Sequence, residues 1–229
     1  MLKSHIPQLV DSLSFIWNKY EQKGYVTLYA EDQPHQGTFQ THFHGFEEHP
    51  TVHYMRPFWL AAADQYIKQD MRYCLGPLPQ HHYLLNYISE FFKKYPTDVP
   101  KFAFGFLGEA LVDTANRRHV DADIQTFLKS IKESRIFANT LIILVGDHGA
   151  SYGNRRETWE GKLEERLPYL SLSFPQSFLS KHPEVLRNLR QNQDQLTTSL
   201  DLYETLKHLL DIKTQVSFFL WDFNIVTLS

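Results

Sequence analysis

Cysteine is almost absent from this chain. Cys74 is the one thiol among 229 residues, so no disulfide can form within the chain and its redox compartment is not written in its cysteines. No run approaches the ~18 consecutive apolar residues of a membrane-spanning helix, so no transmembrane segment is expected. The opening MLKSHIPQLVDSL lacks a basic flank followed by a long apolar stretch, and no export signal is expected from it. An excess of one charge is missing too: 23 basic and 26 acidic residues are intermixed, with a net charge of −3. That balance argues against nucleic acid or an anionic membrane as a partner recognised through bulk electrostatics. There is no internal repeat, low-complexity tract or clear linker.

Apolar material is plentiful. A hydrophobic content of 42%, a third of it aromatic, supports a large buried core, enough for one substantial α/β domain or two small ones. Ile6, Leu9, Val10, Leu13, Trp17 and Tyr20 recur at helical spacing, and Gly24 then separates that helix from a β-rich run at Tyr25 to Tyr29. Residues 30 to 80 loosen into a His-, Gln-, Gly- and Pro-rich excursion, expected to be irregular with one short helix near Phe58 to Tyr66. Leu84, Leu85, Ile88, Phe91 and Phe92 then mark a helix face, and KFAFGF over 101–106 carries the period-two aromatics of a strand. Asp121 is read as the N-cap of a helix with Ile124, Phe127, Leu128 and Ile131 on its apolar stripe.

TLIILV over 140–145 is apolar on both faces, as a strand covered by helices on either side must be. A further strand is expected at Tyr169 to Phe174, a helix capped by Thr198 or Ser199, and one or two strands between Val216 and Val226. This alternation predicts an α/β fold with a mainly parallel sheet flanked by helices. The whole chain, 1–229, is read as one partial domain of that kind.

The segment with most chemistry is LVGDHG over 144–149. Open parallel sheets bind ligands at the carboxyl ends of their strands, and Asp147 and His148 stand where TLIILV runs out, between two glycines that free the backbone to turn. A carboxylate beside an imidazole suits Zn²⁺ and, with more oxygen donors, Mg²⁺, Mn²⁺ or Ca²⁺. The competing reading of so short a motif is a turn in which Asp147 caps backbone amides and His148 is merely exposed.

Several blocks together carry a resemblance: GYVT at 24–27 with Glu31 and Asp32, HYMRPF at 53–58, NTLIILVGDHG at 139–149, GKLEERLP at 161–168 and LTTSLD at 196–201. In this order they resemble the alkaline phosphatase superfamily, and more closely its sulfatase-like metazoan family known as domain of unknown function 229. The resemblance implies metal-dependent hydrolysis of phosphate or sulfate esters, with Asp147 and His148 as ligands of a divalent metal (Zn, Mn, Ca or Mg). It also implies a second ligand block, usually a His-Asp pair, where this chain has Val112 and Asp113. The carboxylate matches and the imidazole does not, which weakens a site that needs every donor; His119 is a less favoured replacement.

Lys162 takes the place of a lysine facing the substrate oxyanion, with Glu165 and Arg166 propping the loop; a solvated charge cluster is the alternative. Arg155 and Arg156 are less favoured, alternative anion contacts, and His35, following the first strand, is a substrate-binding candidate. The remaining histidines of the excursion fit no zinc module. Cys74 is read as a disulfide half-partner or a packed thiol.

The resemblance implies a Ser, Thr or modified Cys nucleophile and a first metal carboxylate on a segment preceding GYVT, and the one helix length of sequence before Gly24 offers no matching position for either. The chain is therefore expected to be inactive by itself as a hydrolase. The alternatives are a pseudoenzyme acting as a binding module, or a truncated gene product with an exposed sheet edge. Relatives of this kind are extracellular or secretory, which is where the resemblance would place the protein.

Overall fold

The computed structural model describes residues 10–35, 37–40, 43–69, 74–108, 117–149, 157–212 and 217–223. Their centre is a six-stranded sheet. In chain order its strands are β1 (Val26–Glu31), β2 (His53–Tyr54), β5 (Lys101–Leu107), β6 (Thr140–Val145), β7 (Leu170–Ser173) and β8 (Ser217–Phe223). Across the sheet the order is β2-β1-β5-β8-β6-β7, parallel throughout except for the antiparallel edge strand β7. A two-stranded hairpin, β3 (Cys74–Leu75) with β4 (Leu78–Pro79), stands apart and holds Cys74, free and half-buried.

Helices cover both faces. Along β5 the aromatic rings of Phe102, Phe104 and Phe106 point to one face and Ala103 and Leu107 to the other, and all are buried. The aromatic face receives α1 (Ile16–Gln22) and α8 (Ser199–Asp211), tied together by the Tyr20 hydroxyl donating to the Leu206 carbonyl at 2.9 Å. Trp17 stacks on Tyr29 there, with ring centroids 5.5 Å apart. The opposite face receives α2 (Arg56–Gln69), α3 (Gln80–Lys94) and α4 (Arg117–Glu133), with Trp59, Leu84, Ile88, Phe92 and Ile124 in the core. On this face Gly105 leaves just enough room for the Ile88 side chain, which a Cβ would crowd at 3.0 Å. The remaining helices are α5 (Trp159–Arg166), α6 (Gln176–Lys181) and α7 (Pro183–Asn192).

The α/β architecture and the mainly parallel sheet agree with the sequence reading, and three details differ. Helix α1 starts only at Ile16, because Val10 is held by a backbone bond to Gly45 and the Asp11 carboxylate accepts from the Glu47 and Glu48 amides. The excursion is more ordered than expected: it adds β2 to the sheet and carries a 14-residue helix, α2. Asp121 lies inside α4 rather than at its cap. Among the described residues the tail forms one strand, β8, within the one or two expected. Thr198 does cap α8, in a capping box with Asp201. No helix among the described residues is long and apolar enough to cross a membrane.

Candidate functional site

Parallel strands all present their carboxyl ends to one rim, so the residues that follow β1, β5 and β6 share it. At β1 the rim carries Glu31 and Asp32, both almost fully buried. Asp32 Oδ1 accepts from the Gly108 amide at 2.6 Å, fastening the end of β1 to the end of β5. The Tyr29 hydroxyl donates to Glu31 Oε2 at 2.6 Å. Burial pushes the Glu31 carboxyl up to about 7, although the Tyr29 hydroxyl, the Arg56 guanidinium and the Thr38 amide all favour its ionised form.

At the exit of β6 two glycines fix the chain. The Gly146 amide donates to the Tyr169 carbonyl at 2.9 Å and the Gly149 amide to the Glu165 carbonyl at 3.2 Å. Between these clamps lie Asp147 and His148, both exposed to solvent. Asp147 Oδ1 accepts from the His148 amide at 2.8 Å, so one oxygen does cap the turn. The other, Oδ2, lies 3.6 Å from His148 Nε2. His148 Nδ1 is 2.7 Å from the Gly149 carbonyl. A carbonyl only accepts, so Nδ1 carries the proton, and in the neutral ring Nε2 is the nitrogen with the free lone pair. Carboxylate oxygen and imidazole lone pair are thus held side by side at the rim, a donor set that fits a divalent cation.

Asp113, Arg155 and Arg156 lie outside the described residues, as does the side chain of His119. Lys162 is exposed on α5, whose N-cap Thr158 accepts from the Gly161 amide at 3.0 Å. Glu165 is half-buried and its carbonyl receives Gly149, while Arg166 is exposed. His35 is exposed in the turn past β1. Because β5 and β8 separate β1 from β6, the strand that leads to His35 stands roughly 14 Å from the one that leads to Asp147 by ordinary strand spacing. His53 belongs to packing: its Nε2 meets the Tyr95 hydroxyl at 2.7 Å and its ring lies against Phe91.

One grouping was not anticipated. His81 and His82, in the first turn of α3, converge with Asp123 of α4, their ligand atoms within 4.8 Å of one another, an arrangement that could hold a metal ion. Nothing local signals it, since its members stand 42 residues apart on two helices. Two surface depressions, one beside α7 at Pro183, Leu186 and Arg187 and one between α1 and residues 46–50, are lined by none of these donors.

A family model described as a protein of unknown function, DUF229, matches residues 3–222. An uncharacterized protein of Haemophilus influenzae (strain Rd) is 26% identical over 144 residues, covering 59% of this chain and 25% of its own length. The chain thus spans about a quarter of the curated relative it matches. No solved structure matches it.

Proposed function

Since this chain belongs to the DUF229 family, we propose that it is part of an alkaline-phosphatase-type domain that binds phosphate or sulfate esters through a divalent metal (Zn, Mn, Ca or Mg) at Asp147 and His148. The observation that carries this reading is the pair itself: His148 Nε2 with its lone pair exposed, 3.6 Å from Asp147 Oδ2, both fixed by the Gly146 and Gly149 clamps. Asp113 is assigned as a further ligand from its sequence position. A cation held there supplies charge neutralisation for the ester oxygens and lowers the pKa of an attacking group. Lys162 steadies a peripheral oxygen of the ester with a compact ammonium, and His35 contacts substrate from the β1 side of the rim.

Val112 at the position of an expected ligand histidine favours a second reading, a pseudoenzyme that binds the ester without cleaving it. The test is release of p-nitrophenol from its phosphate and sulfate esters with added Zn²⁺, Mn²⁺ or Ca²⁺, alongside metal uptake by equilibrium dialysis. Turnover reduced at least about 100-fold by Asp147→Ala supports the hydrolase. Loss of one bound equivalent with Asp147→Ala, without turnover in the parent, supports the binding module. Uptake and turnover both indifferent to Asp147→Ala and His148→Ala would remove the reading.

A further inference from the structure

The groove between α3 and α4 holds the densest group of metal-ligating side chains outside the β6 exit among the described residues. His81 Nε2 lies 2.9 Å from Asp123 Oδ2, and His82 Nε2 lies 3.0 Å from the same oxygen. The two rings stand 4.9 Å apart, centroid to centroid, at 44°. Consecutive helical residues point about 100° apart, so two neighbouring rings converge on one atom only when that atom occupies the groove between their directions. Asp123 is brought there by a separate helix, and the packing of Leu84, Leu85 and Ile88 with Ile124 fixes how the helices sit.

We propose that His81, His82 and Asp123 form a second metal site, for a divalent transition ion of the zinc and cobalt class, separate from Asp147 and His148. Donor atoms sharing one such ion at about 2.1 Å lie roughly 3.0–3.4 Å from each other, depending on coordination geometry. The observed 2.9 and 3.0 Å separations are therefore within a few tenths of an ångström of a ligand set, and a small rotation of the Asp123 carboxylate admits the ion. Two imidazole nitrogens with one carboxylate oxygen select zinc-like ions over Ca²⁺ and Mg²⁺, which prefer shells of oxygen. Binding requires each ring to ligate through an unprotonated Nε2, its proton residing on Nδ1. His81 is buried and anchors the site. The side chains of His82 and Asp123 keep 34% and 36% of their exposure, which gives the ion a way in and leaves room for water as a further ligand.

The site does not depend on the reading of the β6 exit. Gln33, past the end of β1, donates to the Gln80 side chain at 3.1 Å, placing the start of α3 beside β1, three strands from β6. The experiment uses the full chain carrying Asp147→Ala and His148→Ala, dialysed against Zn²⁺ and assayed for bound metal, with the visible absorption of Co²⁺ as a second readout. One equivalent of Zn²⁺ is expected to remain, with affinity at least 10-fold weaker after His82→Gln or Asp123→Asn. Both replacements sit at half-exposed positions, and circular dichroism reports whether the chain is folded. If the Asp147/His148 double variant does not fold, His82→Gln is compared with the unmodified chain, where loss of one bound equivalent is the supporting result. Retention of every equivalent and of the Co²⁺ spectrum after His82→Gln and Asp123→Asn, or no Zn²⁺ bound by the folded double variant, overturns the proposal. Failure at Asp147 and His148 would look different, since removing that pair would then leave the bound metal unchanged.

Discussion

Glu31 is a carboxyl group buried at the end of β1 among Tyr29, Tyr54 and Gly37, and its Oε1 has no hydrogen-bond partner among the described residues. Its folded pKa of about 7 stands above its ordinary value of 4.5 because burial penalises the charge. The folded state therefore holds a proton that the unfolded state has released, and stability should fall as pH rises from about 4.5 through about 7. The loss should be on the order of 3 kcal/mol, the size of such a shift. Urea titrations across this range check it: the stability difference between Glu31→Gln and the parent should widen in the variant's favour as pH rises, and a constant difference would contradict the assignment. At this scale the placement of Asp147 and His148 at the exit of β6 was legible because a short motif follows an unmistakable strand. His81, His82 and Asp123 were not, because convergence from two helices leaves no spacing to read. The burial of Glu31 was also hidden, since a carboxylate at a strand's end reads equally well as solvated.

Among the elements, the unit that matters most to the site is β6, its exit turn and α5. Gly149 packs directly on the backbone of that helix, and a Cβ there would run into the Glu164 carbonyl. Gly149→Ala should therefore push the turn off α5, costing about 1–3 kcal/mol, the usual range for overpacking. Thermal unfolding measures the loss, and weakened metal uptake should accompany it; an unchanged midpoint would show that the turn is not clamped. Signals at this scale were mixed for identifiable reasons. Thr198 was readable as a cap because its hydroxyl and the Asp201 carboxylate lie three residues apart. Asp121 misled because capping residues are preferences rather than starts: Val120 is buried against the core, and α4 begins before it at Arg117. Ile6 and Leu9 lie outside the described residues, but from Val10 to Phe15 the helical spacing likewise described no helix, since Leu13 is half exposed and Asp11 serves the amides of a distant turn.

For the molecule as a whole, the decisive fact is that β8 lies between β5 and β6 and hydrogen-bonds to both. Phe219 of that strand is fully buried against Phe92 and Phe127. Phe219→Ala should destabilise the fold by about 3–5 kcal/mol, as aromatic truncations in cores do. Chemical denaturation checks this, and a cost below about 1 kcal/mol would mean that the strand is not central. The parallel sheet could be foreseen from alternating elements, but its strand order could not, because pairing partners are chosen by burial across the whole chain rather than by neighbourhood. The contact of the Lys101 amide with the Ser217 hydroxyl spans 116 residues. While the polypeptide is being made, the two halves of the sheet have no seam until Phe223 clears the ribosome. Until then the apolar edges of β5 and β6 wait unjoined, and a nascent chain should depend on chaperones until β8 has emerged to join them.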